Sequence, residues 1–340
     1  MKSFICLFTA TVLSMLVIPV LFHGTPGTVS VDNSHTDSPS SSTAQTDTAT
    51  TAPSSSGEGI VSVFISSDSS VLVVSEFEYV CGAVAAEMPL TYEPEALKAQ
   101  AVACYTNAVR LRSVLIKDDK LLGADISDNS STHQGYLTYD QRREKWGESF
   151  DKYEQKLEDA VNSVLGEALY YEGSLCTAAF HAICTGKTES AKNVWGTFIP
   201  YLSGTESAGD HLSPAYTTEL SLSLQQFKDM AAKLEPAPDT DDLSMLAQSL
   251  VTTEAGTVSS LSIGSSTYTG AQIREAFSLK SAAFTINVSD ENITFKVTGY
   301  GHGVGMSQYG ANYMASQGSD YRGILEHYYT GAQIQKITKA

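Results

Sequence analysis

The sequence predicts an α+β protein: mixed helices and antiparallel strands in one large extracytoplasmic domain with a peripheral lobe. Three observations carry this. Apolar residues fall at helical spacing near the front of the folded region and again at the back. Between them lie short strand-like runs broken by Gly, Ser and Thr. An uncharged apolar leader and a polar tether precede all of it.

The 340 residues carry a net charge of −17, with 21 basic residues against 38 acidic ones. Nucleic acid rewards clustered Lys and Arg, so it is excluded as a partner. A neutral or partly cationic glycan is compatible with this charge. Four cysteines beyond the leader are too few to form a dense disulfide framework in a chain of this size.

Read in order, Lys2 precedes an apolar run from Phe4 to Phe22, long enough to cross a bilayer at about 1.5 Å rise per residue. No A-x-A cleavage site follows, so residues 1–23 read as an uncleaved transmembrane anchor rather than a signal peptide. No Lys or Arg follows Lys2 until Lys98, which leaves the N-terminus in the cytoplasm and the domain outside a single-pass cell-membrane anchor. Residues 24–59 are Ser, Thr, Asp, Gly and Pro with few large apolar side chains, and read as a disordered linker. Folded character begins with the strand-like Ile60–Ile65 and continues through residues 60–340.

Ser75-Glu76-Phe77-Glu78 fits a capping box and starts a helix. Phe77, Val80, Cys81, Val84 and Met88 form its apolar stripe, and Pro89 ends it. Glu87 falls on that stripe. Burial there raises a carboxylate pKa, and a carboxyl still protonated near neutrality is what acid-assisted glycoside cleavage requires. The bland alternative is a helix-terminal Glu that bends back to water. Pro94 suits the first turn of a second helix running to Leu115, with Leu97, Ala101, Cys104 and Ala108 inward and Lys98 at the stripe edge. Ser223–Lys233 reads as a helix and Val258–Ser266 as a strand pair, within a lobe spanning residues 214–290.

Toward the C-terminus, Gly299, Gly301, Gly303 and Gly305 alternate with other residues, followed by Met306-Ser307-Gln308-Tyr309-Gly310-Ala311. The spacing fits neither G-x-G-x-x-G nor a P-loop. Glycines permit positive φ and close approach. Tyr300, His302, Ser307, Gln308 and Tyr309 supply polar groups from such a segment.

Several stretches together resemble the stage II sporulation protein D family. They are Glu78-Tyr79 with Gly82-Ala83-Val84-Ala85-Ala86-Glu87-Met88-Pro89, then Leu97-Lys98-Ala99-Gln100-Ala101-Val102-Ala103, then Phe180-His181 with Thr185-Gly186-Lys187-Thr188-Glu189, and Gly301 to Ala311. Tyr268-Thr269-Gly270 with Ile273-Arg274 matches less well. The resemblance implies a peptidoglycan lytic transglycosylase that cuts MurNAc–GlcNAc bonds of denuded glycan strands during spore engulfment. It implies as partners a peptidoglycan amidase and membrane proteins of an engulfment complex. A sister branch implies the alternative of a noncatalytic wall-binding amidase enhancer. By position, Glu87 is the catalytic acid and Lys98 a substrate-facing base. Where the family often has arginine this chain has Tyr105, expected to pack on sugar; Arg110 and Arg112 lie further along. His133 and His181 are further substrate-binding candidates. Were the reaction hydrolytic, Glu189 or Asp210 would be the second carboxylate.

No cofactor is favoured. Zinc is the alternative, because Cys176, His181 and Cys184 offer suitable ligand types. Against it, Cys176 to Cys184 reads as one strand. A strand would point His181 away from both cysteines and hold those cysteines about 26 Å apart.

Overall fold

The computed structural model describes residues 59–114 and 118–337. The fold is mixed α+β, in agreement with the sequence. The chain enters on an antiparallel hairpin of β1 (Ile60–Ile65) and β2 (Ser70–Ser75), which runs straight into helix α1 (Glu76–Glu87). Ser75 caps that helix by accepting from the Glu78 N–H at 3.1 Å. The Glu78 carboxylate does not return the bond as a capping box would; it turns to Arg142 instead. Helix α2 (Pro94–Arg112) begins on Pro94, as the fixed φ of proline favours, and stops short of Leu115.

The short strand β3 (Ile126–Ser127) lies parallel to β1. Helices α3 (Tyr139–Trp146) and α4 (Phe150–Val164) follow. Next come β4 (Glu167–Tyr171), β5 (Ser174–Leu175), β6 (Phe180–His181) and α5 (Ala191–Trp195). Cys176 to Cys184 is therefore not one regular strand: Phe180–His181 forms a two-residue strand, Ile183 makes an isolated bridge, and both cysteines are buried as free thiols.

A second hydrophobic core gathers β7 (Thr217–Ser223), α6 (Leu224–Ala231), β8 (Val251–Thr252), β9 (Val258–Ile263), β10 (Ser266–Tyr268), α7 (Gly270–Ala276), β11 (Phe284–Val288) and β12 (Asn292–Thr298). Phe277 and Phe295 sit at its centre, with ring centroids 5.0 Å apart. Strand β12 pairs with both β7 and β11, so this core extends past residue 290 to Thr298. The chain then returns through β13 (Met306–Ser307), α8 (Gln308–Ser316), α9 (Tyr321–Tyr328) and β14 (Gln333–Lys336), with β13 parallel to β6 and β14 beside β4.

Helix α2 is the axis of the main core. From Ala96 to Ala108 every residue but Lys98 is buried, because α1, α4, β4, α8 and α9 all pack on it. Its run of Ala, Cys and Thr suits that crowding, since small side chains let neighbouring backbones come close. Tyr105 belongs to this core. It is only 3% exposed, and its hydroxyl donates to Glu76 at 3.1 Å. Glu76 also pairs with Arg112 at 2.7 Å. The expected sugar-facing Tyr105 is thus corrected: it packs beside the start of α1, at the opposite end of that helix from Glu87.

The membrane assignment is corrected as well. No helix among the described residues is long and apolar enough to cross a membrane. The Phe4–Phe22 run and the linker up to residue 58 lie outside those residues. The transmembrane anchor, single-pass location and cytoplasmic N-terminus find no supporting helix among the described residues.

One guanidinium fastens the front of the fold. Arg142 is 1% exposed. Its Nε and Nη2 donate to Glu154 of α4, the shortest bond being 2.7 Å. Its Nη1 and Nη2 reach Glu78 of α1 at 2.9 and 3.1 Å, and Nη1 also donates to the Leu137 carbonyl at 3.0 Å. Removing one partner of a buried ionic cluster strands the others. Arg142→Met is expected to lower unfolding free energy by about 3–5 kcal/mol, read as the shift in a urea-unfolding midpoint.

Candidate functional site

Glu87 ends α1 where the chain turns at Met88-Pro89, and its side chain is half-buried. The backbone N–H of Gly135 donates to its Oε1 at 2.6 Å. Two glycines permit that contact. A Cβ on Gly135 would lie 2.9 Å from the Ala86 Cβ and 3.0 Å from Glu87 Oε1, and one on Gly82 would strike the Tyr136 ring at 2.3 Å. Residues 134–137 can therefore lie flat across α1. Leu137 N–H then bonds Gly82 O at 3.1 Å, and the Tyr136 and Tyr79 rings stack 5.8 Å apart.

Burial pushes the Glu87 carboxyl up to about 7; the Gly135 N–H and the nearby Lys145 charge pull the other way without cancelling it. Lys145 is fixed by a 2.8 Å bond to the Ala85 carbonyl. Because Oε1 already accepts an N–H, the proton of the neutral acid resides on Oε2, which is left free to face a substrate. The group is thus partly protonated at neutral pH, as a general acid should be.

A polar seam runs from this carboxyl along α2. Gln134 donates to the Tyr79 hydroxyl at 2.6 Å and to the Cys104 carbonyl at 3.2 Å. Asn107 donates to Gln134 at 3.4 Å and to the Ala178 carbonyl at 2.9 Å. Gln100 donates to Cys104 Sγ at 3.3 Å and accepts from Gln308 at 3.3 Å. Gln308 is thereby connected to the Glu87 neighbourhood through α2.

The glycine segment forms a second polar region. Gly299, Gly301, Gly303 and Gly305 have φ of 80°, 114°, 82° and 74°, where L side chains are strained. Space excludes side chains at three of them: a Cβ on Gly305 would lie 2.0 Å from Ala179 O, one on Gly301 2.7 Å from the His181 Cβ, and one on Gly299 2.8 Å from Ile183 O. The segment thus runs against residues 179–184. His181 Nδ1 bonds Val304 O at 3.1 Å, His302 Nδ1 accepts from Val304 N–H at 3.0 Å, and the two rings lie 5.7 Å apart. Burial pushes both histidines below their ordinary range. His302 lines a cleft between the two cores with Thr185, Lys187, Glu189 and Thr257. Tyr300 bridges to Ile183 in the same segment, with Lys280 Nζ 4.7 Å above its ring.

Several expected site residues have structural employment. Lys98 pairs with Glu95 at 2.6 Å, not with Glu87. Ser307 caps α8 and donates to Asp210 at 2.6 Å. Tyr309 donates to Leu212 O at 3.1 Å and meets the Tyr92 ring edge-on. Glu189 accepts from Asn193 at 2.9 Å and from Thr253. Asp210, wholly buried, accepts from Ser307 and from the Cys184 thiol at 3.1 Å. Neither carboxylate has a recorded contact with Glu87. For the zinc alternative, Cys184 donates to Asp210 and His181 Nδ1 is engaged by Val304 O, while His181 Nε2 is buried without a partner; among the described residues no group of three or more His, Cys, Asp or Glu could hold a metal. His133 is half-buried, and its Nδ1 has no partner.

Lys145 and Gly135 were not anticipated as site residues. Lys145 lies on a helix whose sequence is charged throughout, so nothing local marks it. Gly135 left a trace in His133-Gln134-Gly135-Tyr136, where a glycine interrupts polar and aromatic residues.

An acid at a helix end, a glycine contact on its carboxyl and a left-handed glycine segment beside paired histidines make up the candidate site. Comparison with known sequences places the chain in a family. The sequence model of the family described as "Stage II sporulation protein" matches residues 68–171. The chain is 36% identical over 276 residues to "Stage II sporulation protein D" of Bacillus amyloliquefaciens, covering 81% of this chain and 78% of that protein. It is 35% identical over 277 residues to the protein of the same name from Bacillus subtilis (strain 168), covering 81% and 79%. It is also 27% identical over 305 residues to the B. subtilis "Amidase enhancer", covering 74% of this chain and 40% of that one. The chain belongs to the stage II sporulation protein D family.

Two consequences of the Glu87 environment are measurable. Its folded pKa is about 7 against an ordinary 4.5. The folded state therefore holds this proton more tightly than the unfolded state, and stability is lost as pH rises from 4.5 through 7. Glu87→Gln cannot ionise and keeps the Oε1 acceptor. It is expected to match wild type at pH 4 and exceed it by on the order of 2–3 kcal/mol at pH 8.5, measured by denaturant unfolding at both values. Lys145→Met removes the charge that favours the ionised form, so NMR titration should place the Glu87 pKa higher than in wild type.

Proposed function

We propose that this protein is a peptidoglycan lytic transglycosylase of spore engulfment, cleaving MurNAc–GlcNAc bonds in glycan strands that have lost their stem peptides. The observation that carries the reading is the half-buried Glu87 carboxyl, raised to about 7 and oriented by Gly135. Protonated Glu87 gives its Oε2 proton to the glycosidic oxygen as the C1–O bond breaks. The resulting carboxylate takes the proton of the muramyl C6 hydroxyl, whose oxygen bonds to C1 and closes the 1,6-anhydro ring. One carboxyl thus serves both proton transfers, whereas hydrolysis by the usual route requires a second. The separate structural employment of Glu189 and Asp210 favours the lytic route. General acid help supplies roughly 10²–10⁴ in rate; the polar seam along α2 is proposed to contribute positioning.

The partners proposed are a peptidoglycan amidase, which would expose denuded strands, and the engulfment machinery. The second reading is a noncatalytic wall binder that stimulates an amidase. The similarity to the B. subtilis amidase enhancer favours it, as does the core placement of Tyr105 where the family often has arginine.

Digestion of denuded strands, with mass spectrometry of the products, separates these readings. Anhydromuramyl ends are expected from wild type. Glu87→Gln is expected to leave less than about a hundredth of that turnover, in line with the loss of a general acid. Reducing-end products would indicate hydrolysis, and intact strands bound without cleavage would favour the enhancer.

A further inference from the structure

The α2 seam ends in a cation without a counter-ion. Gln100, Cys104, Asn107 and Arg110 follow one another at helical steps of four, three and three residues, which keeps them on one side of the helix. The first three are satisfied by the bonds described above. Arg110 is not. It is half-buried, its Nε has no acceptor, and no carboxylate pairs with it among the described residues. Burial weakens its hold on its own proton, an effect opposed only by the phenol of Tyr201. Asn107, one turn before Arg110, bonds Gln134 at 3.4 Å, which brings the neighbouring His133 to the same side of α2; its Nδ1 is equally unpartnered. Burial, and then the Arg110 charge, push His133 below the ordinary histidine range, so at neutral pH it is a neutral donor of one N–H. The acid near His133 is Asp118, whose carboxylate accepts from the Lys120 N–H at 2.9 Å and caps the turn there.

A half-buried guanidinium without an anion is costly in the free protein. Here it stands in a chain whose net charge is −17, and among the described residues no acidic side chain is placed against it. Two unpartnered nitrogens on one side of α2, one of them in a planar fork suited to bidentate contact, fit a receptor for a carboxylate.

Position gives the carboxylate an identity. His133 is two residues from Gly135, whose N–H holds Glu87; two extended residues span about 7 Å. Along α2, Arg110 is six residues from Cys104, about 9 Å, and Cys104 feels the Glu87 charge. Both routes bring the pair within about 7–9 Å, along the backbone, of residues that neighbour the acid. Tyr201 lies beside it, its ring 5.2 Å from that of Tyr171, and offers an apolar face for sugar C–H groups.

We propose that Arg110 and His133 form a carboxylate subsite that takes the free lactyl carboxylate of a muramic acid residue near the scissile bond. This rests on the proposed glycan substrate and deepens it. In intact wall the stem peptide is joined through that same carboxyl as a neutral amide, bulky and without the charge. The subsite therefore discriminates strands by the charge that peptide removal uncovers.

The test separates the subsite from the reaction. Denuded strands are prepared with free lactyl carboxylates, and a matched set has them converted to methyl amides. Binding of both is measured by calorimetry on full-length Glu87→Gln, where turnover cannot interfere. The free-acid strands are expected to bind at least tenfold more tightly, and added salt to narrow the gap. Equal affinity, or no binding of either set, overturns the subsite. Adding Arg110→Gln in the Glu87→Gln background should abolish the discrimination, with Arg110→Lys keeping part of it. A folded Arg110→Gln protein that still discriminates also overturns the assignment. Should Arg110→Gln fail to fold, the methyl-amide comparison stands without it. Failure of the reaction itself would appear separately, as free-acid strands bound preferentially by Glu87→Gln but not cleaved by wild type.

Discussion

The front of this protein depends on the position of one buried charge. Arg142 joins α1 through Glu78, α4 through Glu154 and the segment entering α3 through Leu137 O. The segment from Gln134 to Leu137 is thereby pressed against α1, and Gly135 N–H comes to Glu87 as a result. A buried cluster of this type adds little net stability. Its role here is geometric. Three elements far apart in sequence must meet at one planar fork, and few other arrangements of the chain would satisfy all its donors. The acid is tuned by the same assembly: burial raises it, while one N–H and one lysine restrain the rise.

The two polar regions differ in character. Around Glu87 the oxygen Oε2 is left uncommitted. Around the glycine segment most polar atoms are already paired, with Asp210 binding Cys184 and Ser307 and Val304 binding both histidines. That contrast separates an acid with an uncommitted oxygen from a scaffold whose polar atoms hold the backbone in place. Helix α2 ties the two together through Gln100 and Gln308.

Much of the frame was legible in the sequence. Ser75 before Phe77-Glu78 announced the α1 start, Pro94 the α2 start, and Pro89 the turn after Glu87, because caps and prolines act through neighbours in the chain. The oddity of Glu87 on an apolar stripe was legible for the same reason. What failed was information held between distant segments. Tyr105 lies in the core because Glu76 and Arg112 meet it there. Periodicity placed it on α2 but could not say that α2 is enclosed on nearly every side. Lys98 pairs with Glu95 and Ser307 serves a cap; family position pointed Lys98 to substrate and the polar glycine segment pointed Ser307 there, and neither carries the partners that claim these side chains. Cys176 to Cys184 read as one strand because its residues are β-compatible, yet the glycine segment pairs with only part of it.

The second core has its own architectural meaning. The chain leaves the main body at Tyr216 and rejoins it at Gly299, and those residues touch through a Gly299 N–H to Tyr216 O bond of 2.7 Å. Departure and return are thus adjacent, like the two feet of an arch. Everything between them, with its private cluster of phenylalanines, is carried by the main body without being threaded through it. Such a part is free to lengthen, shrink or change its surface while the acid and its glycine contact stay where they are. Because its inner edge supplies Thr257, Ser281 and Ala283 to the cleft beside His302, a change there would remodel what enters the cleft and leave the chemistry alone.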